Sequence, residues 1–162
     1  MSHAGRLGWL ISLVLAVALG WMSYNFIIVG QTEPHADGRT VVLLAPDERN
    51  KVLGEMRGLL ETVQGITLAA TEGDMAQVRA LATAAGMAAA EGESAALVGK
   101  LPLEFKTLGL RTHRAFDALA ARAGDSADPL EVLGEMGKLM GNCTSCHAGY
   151  RLGVEGIDHE ER

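Results

Sequence analysis

The chain has 162 residues, aromatic side chains make up only 4% of them, and the formal net charge is −6. No run alternates apolar with polar residues as a half-buried strand would, so the sequence predicts an all-α fold with one compact domain. An acidic chain without a cluster of Lys and Arg excludes an ordinary nucleic-acid binder. It contains no Ser/His/Asp constellation, phosphate-cradling glycine loop or motif-placed carboxylate pair, so the sequence does not predict an enzyme.

The N-terminal stretch between residues 7 and 30 carries no charged residue and is long enough to span a bilayer. A cleaved signal peptide is the alternative, because Arg6 is a weak positive flank and Ala16-Val17-Ala18 resembles a small-residue cleavage site. The residues that follow this site stay largely apolar, however, and an uncut helix places Trp21 and Tyr24 toward the far interface, where aromatic residues are common. We therefore favour an uncleaved membrane helix.

Arg6 is the only fixed charge close before this helix, so the positive-inside rule places the N-terminus in the cytoplasm. We expect residues 1–30 to be a single-pass anchor in a bacterial cytoplasmic membrane, with the rest of the chain in the periplasm. Residues 31–45 are interpreted as a linker, because a polar stretch is followed only by a short apolar patch at residues 41–44. This patch is expected to pack onto the domain, and residues 153–162 are interpreted as a C-terminal tail.

Four amphipathic helices are predicted within residues 46–152. Pro46 fits the first turn of the first helix, Asp74 can cap the second, Pro102 opens the third and Asp128 can cap the fourth. Short links between four such segments predict an antiparallel four-helix bundle, a fold that often holds cofactors between facing helices. In the first helix the predicted apolar stripe consists of Leu53, Met56, Leu60, Val63, Thr67 and Ala70.

The last predicted helix contains the segment Cys143-Thr-Ser-Cys146-His147, which holds both cysteines of the chain. This spacing is the attachment signature of a c-type haem, in which two thiols form thioethers with the porphyrin and the histidine binds iron. On a helix, positions three and four apart share a face, so these three side chains can address one side of a macrocycle. We therefore expect one covalently bound haem, with His147 as an axial ligand.

Two other chemistries use a Cys-x-x-Cys pair. A thioredoxin-like redox pair needs a preceding strand in a βαβ context, which the sequence does not predict. A zinc site needs four ligands, and only scattered histidines could complete it, namely His3, His35, His113 and His159. Neither chemistry explains a histidine directly after the second cysteine, so haem is the favoured interpretation.

The continuation of the motif, Cys143-Thr-Ser-Cys146-His147-Ala-Gly-Tyr150-Arg151, resembles the end of the class II cytochromes c, which include cytochrome c-prime and its low-spin relatives. The resemblance covers about residues 46 to 151. In that family the last helix of a four-helix bundle carries the haem motif, followed by an aromatic residue and Arg. The resemblance implies that Tyr150 packs against haem or helix and that Arg151 lies near the proximal haem face or a propionate. A solvated arginine at a helix end is an equally good interpretation of Arg151.

The family resemblance leaves the sixth iron ligand open. Some members cover this position with an apolar residue of the first helix, whereas low-spin members place a methionine early in that helix. Met56 matches the second arrangement and is our candidate ligand, although a methionine on an apolar stripe needs no more than a packing role. Leu53 and Leu60 would cover an open iron. His113 is interpreted as an ordinary, partly exposed histidine rather than a second ligand.

These features predict a single-haem electron carrier at the outer face of the cytoplasmic membrane, where tethering raises the effective concentration of its partners. The expected partners are redox proteins or a respiratory or photosynthetic membrane complex. Two alternatives stay open: a five-coordinate protein that binds nitric oxide or carbon monoxide, and an accessory haem subunit of a larger complex. Class II cytochromes are often dimers through their first two helices, so a homodimer is a further alternative.

Overall fold

The computed structural model describes residues 3–124 and 127–157, which are mostly helical with one small sheet. His159, the end of the predicted tail, and the side chains of His3 and Arg6 lie outside this description. In chain order the elements are α1 (His3–Tyr24), a π-helical turn (Asn25–Val29), β1 (Thr32–Pro34), β2 (Thr40–Leu44), α2 (Pro46–Glu72), α3 (Met75–Ala84), a 3-10 turn (Met87–Ala90), α4 (Ala95–Lys100), α5 (Leu103–Arg122), α6 (Pro129–Gly149) and β3 (Tyr150–Val154).

The predicted helix starts are confirmed, and local capping explains them. α2 begins at Pro46 and ends at Glu72, directly before Gly73, whose φ of +75° is the left-handed conformation that glycine adopts most readily. The Asp74 and Asp128 carboxylates accept hydrogen bonds from backbone amides in the first turns of α3 and α6, at 2.9 and 3.0 Å. Pro102 directly precedes α5. The short helix α4, just before it, was not predicted.

The four predicted helices pack around a common apolar core. α2 contacts α3 and α6, and α5 contacts the same two helices. We call the following buried residues the main core: Ile66, Ala69, Ala70, Met75, Val78, Ala82, Ala85, Phe116, Leu119, Ala123, Val132, Met136 and Leu139. Burial of such apolar surface, worth about 25 cal/mol per Å², is the dominant stabilising contribution.

A three-stranded sheet corrects the all-α expectation. β2 lies in its centre, antiparallel to β1 and parallel to β3. Val41, Val42 and Leu44 of β2 are fully buried, so both faces of the strand are covered and its apolar run does not alternate. Its partner strand lies far along the chain, because Thr40 pairs with Tyr150. The segment interpreted as a linker thus supplies two strands, and β3 extends into the segment interpreted as a tail.

The buried stripe of α2 differs from the predicted one at three positions. Leu60 is 68% exposed and Thr67 is also exposed, so these two side chains face solvent. The inward positions are Val52, Met56, Leu59, Val63, Ile66 and Ala70. Residues 52, 59 and 66 take the places predicted for 53, 60 and 67, because Val52 packs among residues of β2, α4 and α5 and the other two pack in the main core. Met56 belongs to both stripes and is partly buried.

The N-terminal segment Leu7–Val29 is long and apolar enough to cross a membrane, with a mean hydropathy of 1.9 and no buried part. A signal sequence near the N-terminus would have the same properties. Apolar side chains point outward on all sides of this segment. A helix that is apolar all round needs an environment other than water.

Candidate cofactor-attachment site

The two cysteines lie on the inward-facing stripe of α6. This stripe steps by four and three residues, through Val132, Met136, Leu139, Cys143, Cys146 and, just past the helix end, Tyr150. The first three side chains are buried in the main core, whereas both thiols are only partly buried. The same helix face is therefore fully covered at its beginning and incompletely covered where the thiols lie.

A second apolar cluster surrounds the C-terminal end of α6. Its members are the buried residues Val42, Leu44, Val52, Leu97 and Phe105, with Met56, Leu101, Cys146, Tyr150 and Leu152 packed partly buried against them. We call these residues the thiol-end cluster. It joins β2, the start of α2, α4 and the start of α5 to the end of α6. Three residues singled out from the sequence, Met56, Cys146 and Tyr150, thus lie in one cluster.

The thiols are not joined in a disulfide, and their surroundings favour the neutral form. Partial burial raises the pKa of Cys143 and of Cys146 above the usual thiol range, and the neighbouring Cys143 contributes further to the shift in Cys146. A redox-active Cys-x-x-Cys pair needs the opposite shift, produced by positive charge or a helix N-terminus. This pair instead lies in the last turns of a helix. The thioredoxin-like alternative therefore receives no support.

His147 lies beside the inward stripe rather than on it. It is exposed, in the last turn of α6, where a basic residue interacts favourably with the helix dipole. Within residues 3–124 and 127–157, no group forms a hydrogen bond or ion pair with its ring. The structure thus leaves His147 outside the thiol-end cluster that holds Met56, with ring nitrogens accessible to a ligand.

Tyr150 closes one side of the thiol-end cluster. Its ring meets the Phe105 ring edge to face, with centroids 5.5 Å apart, and its hydroxyl donates a 2.8 Å hydrogen bond to Oε2 of Glu104. Burial and this carboxylate partner raise the pKa of Tyr150 to about 12. Tyr150 therefore packs against α5 as a neutral phenol. This contact fits the expectation that it packs against haem or helix.

Arg151 points to the opposite side of β3 from Tyr150, as successive residues of a strand do. Its Nη1 lies 2.7 Å from Nε2 of His35 and 3.7 Å from Oδ2 of Asp37. Hydrogen bonds from Arg39 hold the pKa of Asp37 far below its usual range. Arg151 thus contacts the β1–β2 hairpin rather than the thiol-end cluster. Sequence reasoning considered His35 only as a scattered candidate for the zinc alternative, and no local pattern links it to an arginine on a distant strand.

The remaining histidine candidate has a structural partner. Nδ1 of His113 lies 2.8 Å from the carbonyl oxygen of Ala85, joining α5 to the end of α3. A carbonyl oxygen only accepts, so Nδ1 carries the proton. This contact agrees with the expectation of an ordinary histidine. In the part of the chain that the structure describes, no group of three or more His, Cys, Asp or Glu side chains is placed to hold a metal ion.

Comparisons with protein-family models, with curated proteins and with solved structures find no match to this chain. The resemblance to class II cytochromes c therefore rests on the motif and on the predicted helices. The function has to be argued from the geometry of the thiol-end cluster and the residues around it.

Proposed function

We propose that this chain is a membrane-anchored c-type cytochrome that carries single electrons. The observation that carries the proposal is the position of Cys143 and Cys146 on the inward stripe of α6, where both are partly buried and Cys146 packs against the thiol-end cluster. A porphyrin held by two thioethers needs two thiols on one helix face next to apolar surface, and the end of α6 offers both. One haem bound there would supply an iron centre that accepts and releases one electron at a time.

The thiol-end cluster is better suited to a large apolar group than the main core is. Seven of the twenty residues in and packed against the main core are only partly buried, against five of the ten in the thiol-end cluster. Phe105 and Tyr150 add aromatic surface beside Cys146. Burial raises the pKa of both thiols, and Cys146 itself belongs to this cluster. These features support a site of covalent haem attachment rather than a catalytic dithiol.

His147 and Met56 are the proposed axial ligands. His147 follows the second cysteine directly and has an accessible ring without a partner among the described residues. Met56 belongs to the same cluster as Cys146, although the two residues come from opposite ends of the domain sequence. A thioether as second ligand raises the reduction potential, which suits a carrier of electrons.

The proposal includes the helix arrangement of the class II family. Each of α2, α3, α5 and α6 contacts two of the others in a closed cycle. Met56 near the start of α2 shares a cluster with Cys146 near the end of α6, so these two helices run in opposite directions. Both observations support an antiparallel four-helix bundle, to which the small sheet and α4 are added.

The proposed location is the outer face of a bacterial cytoplasmic membrane, with α1 uncleaved and the haem domain in the periplasm. The apolar segment Leu7–Val29, in which no part of the candidate span is buried in the protein, supports this part of the proposal. A tethered carrier would exchange electrons with redox proteins or complexes of the same membrane, because confinement raises their effective concentration.

The test is the absorption spectrum of the reduced full chain, purified from cells that attach c-type haem. We expect a six-coordinate, low-spin spectrum that does not change when carbon monoxide is added. A prompt change on adding the gas would replace electron transfer with gas binding as the function. A colourless protein would reject both functions, because both require a bound haem.

A further inference from the structure

The end of the apolar N-terminal segment is firmly joined to the helical domain. Nζ of Lys106 donates a 2.9 Å hydrogen bond to the carbonyl oxygen of Ile27, which places a cation at the negative end of the helix. The Phe26 ring lies directly over Gly99, where a Cβ atom would collide with it. The amide of Gln31 donates to the Lys100 carbonyl at 2.7 Å. These contacts hold α4 and the start of α5 against the end of the segment.

The depth of these contacts relative to a bilayer follows from the length of the segment. The candidate span runs from Leu7 to Val29, so Phe26 and Ile27 lie within its last turn. At about 1.5 Å per residue, both are only about 3 to 5 Å from the end of the span. If α1 crosses a membrane, Gly99 and Lys106 therefore lie at the depth of the lipid headgroups.

The domain surface next to these contacts combines apolar and basic side chains. Val98, Leu103 and Leu110 are between 36% and 43% exposed. On α5, Leu110 lies seven residues after Leu103 and Arg114 follows four residues later, so these three side chains share one face. Lys106 lies at the edge of that face, and Arg114 is exposed. We call Val98, Leu103, Lys106, Leu110 and Arg114 the α4–α5 corner.

We infer that the α4–α5 corner is a lipid-binding surface that rests in the headgroup region of the membrane that α1 spans. Exposed apolar side chains flanked by basic ones are the composition of helices that lie in a membrane interface. The basic residues would attract anionic headgroups, in a chain that is otherwise acidic. The inference depends on the retained anchor of the proposed function and not on the haem.

This orientation would also place the thiol-end cluster close to the membrane. Leu97 of α4 and Phe105 of α5 belong to that cluster, and Tyr150 is hydrogen-bonded to Glu104, which is adjacent to Leu103. The end of α6 would thus lie within a few helical turns of the bilayer surface. An electron partner would then be reached within or at the membrane rather than in the bulk periplasm.

Tryptophan quenching by brominated lipids tests the inference. The full chain with Trp9→Phe, Trp21→Phe and Leu103→Trp is reconstituted at low protein density in phosphatidylcholine vesicles that contain some phosphatidylglycerol. Fluorescence in brominated lipid is divided by that in unbrominated lipid, which cancels any quenching by haem. We expect this fluorescence ratio to be about one half for Leu103→Trp, as for a side chain at the interface. Leu110→Trp in the same background is a second probe, in case the first variant does not fold.

Leu68→Trp is the matched control. Leu68 is 55% exposed on α2, and it lies sixteen residues after Val52 of the thiol-end cluster, about 24 Å along the helix. We expect no quenching there. A variant that keeps only Trp21 reports on the anchor itself. If Trp21 is quenched while the probes at 103 and 110 behave like the control, the lipid-binding corner is rejected and the anchor stands. If Trp21 is not quenched, the anchor is rejected and the inference with it.

Discussion

The two apolar clusters of this domain lie along the same helices but differ in how completely they are filled. In the main core, α6 contributes Val132, Met136 and Leu139, all nearly inaccessible to solvent. In the thiol-end cluster, the same stripe continues with Cys146, which is only partly buried, and α2 contributes the partly buried Met56. The α6 stripe is thus covered by protein in the main core. At the thiol end the same stripe is only partly covered.

The strongest test of this contrast removes both thiols. A Cys143→Ala, Cys146→Ala double variant is expected to lose covalently bound haem completely, because no other thiol exists in the chain. The measurement is haem staining of the denatured protein on a gel. Ser145→Ala is the matched control, since Ser145 lies between the cysteines on the exposed side of α6. Equal haem staining of the double variant and the control would contradict the proposed attachment.

The second test concerns the filled end. Phe116 is fully buried in the main core, so Phe116→Ala is expected to lower the free energy of unfolding by about 3 to 5 kcal/mol. Haem attachment should survive at temperatures where the variant is folded. Leu60→Ala, at a 68% exposed position, should change stability by less than about 0.5 kcal/mol. Chemical denaturation followed by circular dichroism measures both. A larger loss of stability for Leu60→Ala would indicate that Leu60 faces inward, as the stripe predicted from the sequence requires.

The third test concerns the open end. Met56→Ala is expected to convert the reduced protein from six-coordinate to five-coordinate, so that carbon monoxide binds promptly. Because Met56 is only partly buried, the loss of stability should be about 1 kcal/mol, below the range for fully buried methionine. Leu59→Ala, on the same stripe next to the main core, is the control and should keep the low-spin spectrum. A low-spin Met56→Ala spectrum would exclude this residue as the ligand.

The smallest effect is expected in the alkaline range. The pKa of Tyr150 is raised to about 12, mainly by burial, whereas the unfolded value is about 10. The folded state therefore holds the phenolic proton more tightly. The resulting stabilisation is complete below pH 10 and is lost as the pH rises through 12. Absorbance of the phenolate should show one tyrosine titrating late, and Tyr150→Phe should remove that step. If Tyr24→Phe removes it instead, the assignment to Tyr150 is wrong.

Much of the helical fold could be predicted because its signals are local. Pro46, Asp74 and Asp128 mark helix starts by chemistry that acts within one turn. The sheet could not be predicted, since β2 pairs with a strand that follows α6 and its buried valines do not alternate. In α2, Leu59 and Leu60 are equally apolar, so periodicity alone could not decide which of them faces inward.

The candidate site was predictable in part for the same reason. The spacing of Cys143, Cys146 and His147 is a property of five consecutive residues, and Met56 lies on either version of the α2 stripe. The partners of Arg151 were not predictable, because His35 meets it only through pairing between distant strands. The contact of Lys106 with the end of the apolar segment likewise joins elements far apart in the chain.

The most direct test of the central claim is the mass of the proteolytic fragment that contains Cys143 and Cys146, taken from the purified full chain after denaturation and acid extraction. The account predicts that this fragment is heavier than its sequence by one iron porphyrin and that the colour stays with the protein. A fragment of sequence mass with two free thiols, or a colour that is extracted completely, would contradict the account.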